Sequence, residues 1–192
     1  MTSCSHSSPE AIRRAEWRAR VSLDAFLGES APAEATPMAT STESRGTFRR
    51  YLTLIGNEAG IEISSADLAL VLDEIEDYHQ AHNLWSKPHP FAPRVLGELK
   101  EAGCKLAVIS NAGGDVATLL DRMGLAGLFS AIIDSGIVGV EKPDPAIFHL
   151  AARELGVAPE AAIHVGDLPA VDVKGARAAG VERLVQVSGI GA

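Results

Sequence analysis

The sequence predicts an α/β fold, a parallel sheet covered on both faces, preceded by a smaller all-helical region. Three observations predict it. Residues 11–82 place apolar side chains at helical spacing and carry helix start and stop signals. From Leu106 onward, short continuous apolar runs alternate with helical segments that end in glycine, the pattern of a buried parallel sheet. Between the two lies KPHPFAP, whose three prolines exclude a helix interior and favour an extended connection.

Composition narrows the function classes. A chain of 192 residues suits one domain, or one with a small accessory lobe, and 46% hydrophobic residues can bury a sizeable core. The formal net charge of −8 argues against a nucleic-acid or anionic-membrane partner, because no long basic run is present to neutralise phosphates. The two cysteines, Cys4 and Cys104, lack paired C-x-x-C spacing, so neither a disulfide framework nor a zinc site is expected. Met1 to Glu10 is polar without the apolar core of a secretory signal, and no stretch is long enough to span a bilayer. The expected location is cytoplasmic.

Taken in order, residues 1–10 read as a disordered tail and residues 11–86 as a helical region interrupted by a flexible linker at 28–45. Ala11 to Leu27 forms an amphipathic helix, with Ile12, Ala15, Ala19, Leu23 and Phe26 on its apolar side. Gly28 to Arg45 is rich in Ala, Pro, Ser, Thr and Glu and has no periodicity, a composition that cannot bury enough surface to offset ordering. Phe48 to Ala59 is a second helix. Ser64 opens a third, with Asp67 as its capping acid and Leu68, Val71, Leu72, Ile75 and Tyr78 as its buried stripe. Residues 87–192 form the α/β core. Its strands are Leu106–Ile109, Ala131–Ile133, Ala162–Val165 and Leu184–Val187; its helices are Pro93–Ala102, Asp115–Met123, Pro145–Leu155 and Val171–Ala179.

In open parallel sheets, ligands bind outside the carboxyl ends of the strands. The first strand ends in Ser110-Asn111. The second leads into a loop carrying Lys142-Pro143-Asp144-Pro145, and the third ends in Gly166-Asp167 with Asp172 five residues on. A hydroxyl, an ammonium and two carboxylates thus converge on one rim. Phosphate chemistry uses this set: hydroxyl and backbone N–H groups take phosphate oxygens, Lys offsets negative charge, and aspartates hold a hard divalent cation. Each residue alone has a plainer role. Ser110 suits a turn, Lys142 a solvated loop, and Asp172 a helix N-cap. It is the three strand ends together that point to a site.

The segments VISNA (Val108 to Ala112), VGVEKPDPAIF (Val138 to Phe148) and HVGDLPAVDVKGARAAG (His164 to Gly180) resemble motifs II, III and IV of the haloacid dehalogenase superfamily. The resemblance covers about Pro88 to Val187, and the preceding helices resemble the small helical cap of its phosphatase and dehalogenase branch. It implies a Rossmann-like core and magnesium-dependent hydrolysis of a small phosphorylated metabolite through an aspartyl-phosphate. By the same resemblance Ser110 binds the transferring phosphoryl oxygen and Lys142 neutralises nucleophile and phosphate. Asp167 ligates Mg2+, Asp172 ligates the metal or orients its waters, and Asn111 positions substrate or nucleophile.

The family's first motif, an aspartate nucleophile at the end of a central strand, has no convincing copy. Asp24 is the sole candidate, and the residues ahead of it are a charged helical pattern rather than a buried strand. Loss of that strand leaves two edges unpaired, each unmet backbone group costing about 1–3 kcal/mol. Three readings stay open. The nucleophile strand belongs upstream of a truncated start; the chain is a non-catalytic relative that binds a phosphorylated ligand or a partner protein; or Met1 to Leu27 rearranges to supply a strand. Elsewhere, His79, His82 and His89 read as surface histidines, Trp85 and Phe91 as hinge packing ahead of lining a substrate pocket, and His164 as a core histidine. Asp73, Glu74, Glu76 and Asp77 read as a solvated acidic face.

Overall fold

The computed structural model describes residues 8–29 and 45–187. Most of the expected linker and tail lie outside these residues; the exceptions are the end of the tail, the first two linker residues and Arg45, which opens the second helix. Helix α1 runs Pro9–Glu29, so it begins inside the expected tail and takes in Gly28. The reason is geometric: Ala15, Ala19, Leu23 and Leu27 form one buried stripe, and the last of these holds the final turn in place. Met1 to Leu27 therefore does not rearrange into a strand over its described part. Helix α2 (Arg45–Glu58) packs on α1, and Leu23, Leu27 and Tyr51 share one apolar cluster with Val171 of the core.

Helix α3 spans Ser65–His82, with the Ser64 side chain accepting from the Asp67 amide as its N-cap. Its expected stripe is only partly inside. Leu72 is buried, whereas Val71 and Tyr78 are exposed. Glu76, expected on a solvated face, is buried instead and lies 3.2 Å from Arg49. Among the described residues, the apolar surface packed against α3 is too narrow to cover both flanks of its stripe.

The α/β part starts with α4 (Ala92–Glu101), then β1 (Ala107–Ser110), α5 (Val116–Arg122) and β2 (Ala131–Asp134). A short turn of helix, α6 (Ser135–Val138), follows β2 where no helix was expected; the Asp134 side chain caps it by accepting from the Gly136 amide. Helix α7 (Pro145–Leu155) has the expected bounds, with Asp144 accepting from the Ala146 amide and Gly156 at a positive φ of 61° closing it. Strand β3 (Ile163–Gly166) leads into a π-turn at Pro169–Val173, α8 (Lys174–Ala178) and β4 (Arg183–Gln186). The expected helix over 171–179 thus starts two residues earlier, as a π-turn that holds the buried Asp172 and runs directly into α8.

The parallel pairing is as expected: β1 pairs β2 with Ser110 opposite Asp134, and β3 pairs β4 with Gly166 opposite Gln186. These form two two-stranded sheets, and among the described residues no strand joins them. The core is built around α7, where Ile147, Phe148 and Ala151 pack with Ile133, Ala176 and Val181. At about 1.5–3 kcal/mol per fully buried large apolar side chain, α7 anchors the strand ends that matter for the site. No described helix is long and apolar enough to cross a membrane.

Candidate phosphate-binding site

Ser110 and Asn111, Lys142, Asp167 and Asp172 meet at one cavity of about 250 Å³, although they come from three separate stretches of sequence. Parallel strands bring them together: Ser110 closes β1 and Asn111 follows it, Lys142 lies in the loop after β2 and α6, and Asp167 and Asp172 follow β3.

Asp172 is the hub. It is 3% exposed, and one carboxylate oxygen accepts from the backbone amides of Asp167 and Leu168, both at 3.0 Å. The other oxygen accepts from the Lys142 ammonium at 2.7 Å and lies 3.4 Å from the Nε2 of His164. Burial alone would push its pKa up. His164, the Lys142 charge and the Leu168 amide outweigh burial and hold the carboxyl well below the usual carboxylate range. A Cβ on Gly166 would collide with the Asp172 side chain, so the glycine in Gly166-Asp167 is required by this close approach.

Asn111 acts on the loop. Its amide nitrogen donates to the Lys142 carbonyl and its oxygen accepts from the Lys142 amide, both at 2.8 Å. That reciprocal clamp fixes the backbone from which the ammonium projects. The side chain expected to touch substrate is thereby engaged with the Lys142 main chain.

From the helical side, α1 supplies Arg20 and Leu23 to the cavity, α2 supplies Tyr51, and the connection after α3 supplies Trp85. Arg20 pairs with both Asp167 and Glu16, and the Tyr51 hydroxyl donates to Glu16. Burial and the adjacent Glu16 carboxylate push the Tyr51 phenol up. Sequence reasoning missed Arg20, Tyr51 and Leu23, because nothing in a helical stripe marks which residues face a distant strand end. Trp85 does both jobs, lining the cavity while packing on Phe48 and His79 with ring centroids 5.8 and 4.8 Å away. Phe91 is 60% exposed and does not line it. His79, expected at the surface, is half-buried, and its Nδ1 accepts from the Leu84 amide at 3.0 Å.

Asp24 does not face the cavity as a nucleophile would. Its Oδ1 accepts from the Ala170 amide at 2.7 Å, fastening α1 to the π-turn. Partial burial, with the nearby Asp172 and Asp167 charges adding to it, raises its pKa despite that hydrogen bond.

The carboxylates as placed do not fit a magnesium ion. Magnesium needs hard oxygen ligands open to it, but Asp172 has both oxygens engaged and Asp167 is neutralised by Arg20. Among the described residues, no group of three or more His, Cys, Asp or Glu side chains is placed to hold a metal.

A family model described as haloacid dehalogenase-like hydrolase matches residues 8–180. The chain is 41% identical over 113 residues to a glyceraldehyde 3-phosphate phosphatase of Methanopyrus kandleri, covering 58% of this chain and 48% of that protein. It is 46% identical over 94 residues to a phosphoserine phosphatase of Thermus thermophilus, covering 48% and 38%. The chain therefore spans about half the length, or less, of these curated relatives. Among solved structures, a predicted phosphoglycolate phosphatase from Haemophilus somnus superposes with a TM-score of 0.58 at 20% identity, over 94% of this chain and 80% of that one. That likeness establishes the fold: Rossmann-like α/β with a helical portion packed beside it.

Proposed function

This chain belongs to the haloacid dehalogenase-like hydrolase family, and on that premise we propose that its strand-end rim grips the phosphoryl group of a small phosphomonoester for hydrolysis. The observation that carries the reading is the meeting of Ser110, Lys142 and Asp167 on one cavity with Asp172 holding the lysine in place. In this reading the Ser110 hydroxyl donates to a phosphoryl oxygen. The Lys142 ammonium, aimed by Asp172 and by the Asn111 clamp, offsets negative charge as it grows on the phosphoryl group. The names of the two relatives, both phosphatases of small phosphorylated metabolites, support the substrate class.

Hydrolysis through an aspartyl-phosphate also requires a carboxylate nucleophile. Asp167 is engaged by Arg20 and Asp24 by Ala170, so in this reading the nucleophile is supplied from outside the described residues. In this reading the α/β core from residue 87 onward grips phosphate and the helical part before it closes over the ligand.

A second reading, a protein that binds phosphorylated ligands without turnover, is favoured by the pairing of both cavity carboxylates with cations. Isothermal titration of the chain with inorganic phosphate tests what the two readings share. Binding is expected, and Lys142→Met is expected to weaken it about tenfold or more, the equivalent of one charge-assisted hydrogen bond. Absence of binding, or binding indifferent to Lys142→Met, refutes the phosphate site. Turnover of an aryl phosphate then separates hydrolase from binder.

A further inference from the structure

We propose that Arg20 is the resident cation of Asp167: a guanidinium tethered to α1 that holds this carboxylate where a free divalent cation would otherwise bind, and so shuts such an ion out of the cavity. The inference starts from the misfit between the placed carboxylates and a hard divalent cation. It does not depend on which ligand the rim grips.

The two cavity carboxylates are committed in different ways. Asp172 is closed off by its own surroundings, with one oxygen accepting from the Asp167 and Leu168 amides and the other from Lys142. The Asp167 side chain is 33% exposed and is held by Arg20. Hard divalent cations of the magnesium class bind through carboxylate oxygens that are open to them. Access to Asp167 therefore turns on one side chain, and that side chain comes from the first helix, 147 positions away.

Arg20 is seated rather than loose. Glu16, one turn earlier on α1, accepts from its Nε, and Glu16 also accepts from the hydroxyl of the buried Tyr51. One turn later, Asp24 accepts from the Ala170 amide at 2.7 Å. Positions 20 and 24 thus meet positions 167 and 170, so one face of α1 is tied twice to the segment after β3. Leu23 and Leu27 pack the same helix against Tyr51 and Val171. These contacts remove in advance the freedom that Arg20 would lose on pairing. A tethered group competes at an effective concentration on the order of millimolar even on a short flexible tether, and this one is already oriented.

Charge balance agrees. Two carboxylates, Asp167 and Asp172, face two cations, Lys142 and Arg20, in the cavity lining. Removing the arginine charge leaves two carboxylates against one cation and also releases Glu16. The neighbouring Leu23 and Trp85 limit water there, which strengthens the pull on a divalent ion.

The test titrates Mn2+, a hard divalent probe followed by electron paramagnetic resonance, into the full chain without phosphate. Arg20→Met is expected to bind Mn2+ about tenfold or more tightly than the parent, the worth of one charge-assisted contact. Adding Asp167→Asn to that variant is expected to abolish the gain. Arg20→Lys keeps a cation at the same position and is expected to bind Mn2+ about threefold or more weakly than Arg20→Met. Arg20→Gln, neutral but still a donor to Glu16, is expected to show the same gain and replaces Arg20→Met if circular dichroism finds the latter unfolded. A parent that binds Mn2+ as tightly as the neutral variants overturns the assignment. So does a gain that survives Asp167→Asn, or an Arg20→Lys that matches Arg20→Met. A separate titration with inorganic phosphate keeps the two readings apart: if phosphate fails to bind while the Mn2+ pattern holds, the phosphate reading falls and the assignment of Arg20 stands.

Discussion

Replacing Asp172 by Asn removes one negative charge and little volume, and its cost follows from the hub geometry. The side chain is 3% exposed and its partner Lys142 has a side chain 14% exposed, so the ammonium loses its counter-ion where water compensates poorly. Removing one member of a buried pair costs about 3–5 kcal/mol. The amide oxygen of Asn still accepts from the Asp167 and Leu168 amides, so those hydrogen bonds need not add to the loss. A loss of about 3–5 kcal/mol is a large share of the roughly 5–15 kcal/mol that keeps a domain folded.

The pH dependence has a definite sign. Burial alone would raise the pKa of Asp172, but His164, Lys142 and the Leu168 amide depress it in the folded chain. A depressed pKa gives stability that is fully present above the unfolded value of about 3.9 and is lost as pH falls toward the folded one. The gap between parent and Asp172→Asn in urea unfolding should hold constant above about pH 5 and close below about pH 4. Adding Lys142→Met to Asp172→Asn removes the stranded cation and should recover about 1 kcal/mol or more. A loss under about 1 kcal/mol for the single variant, or no recovery in the double, would refute the hub.

Two further outcomes follow from neighbouring contacts. Gly166→Ala places a methyl group against Asp172 and should cost about 1–3 kcal/mol in thermal unfolding while lowering phosphate affinity, since the hub must shift; an unperturbed variant would show that the turn yields freely. Asp24→Ala should cost about 1 kcal/mol through loss of the acceptor for Ala170, whereas Asp24→Asn keeps the acceptor and, by relieving repulsion from Asp172 and Asp167, should be neutral or stabilising at pH 7. Phosphatase turnover abolished by Asp24→Asn would instead make Asp24 a nucleophile.

The α/β core was legible because its signals are local. Apolar runs bounded by glycine marked each strand to within about two residues, and Asp144-Pro145 fixed the start of α7. Ser110, Lys142, Asp167 and Asp172 were legible too, because a parallel sheet sends the ends of its strands to one rim. Among the described residues the strands form two separate parallel pairs, a division that no local pattern in the α/β core announced.

What the sequence alone determined, then, was the order of strands and helices and which strand-end residues meet at the cavity, all set by short-range pattern. The roles taken by individual side chains were decided in three dimensions. Asp172 became a buried hub rather than a simple cap because the Lys142 loop and the turn after β3 converge on it. Asn111 became a loop clamp because Lys142 returns beside it. Arg20 entered the site because packing of Leu23 and Leu27 against Tyr51 and Val171 turns that face of α1 toward Asp167, a contact across 147 positions that no local periodicity encodes.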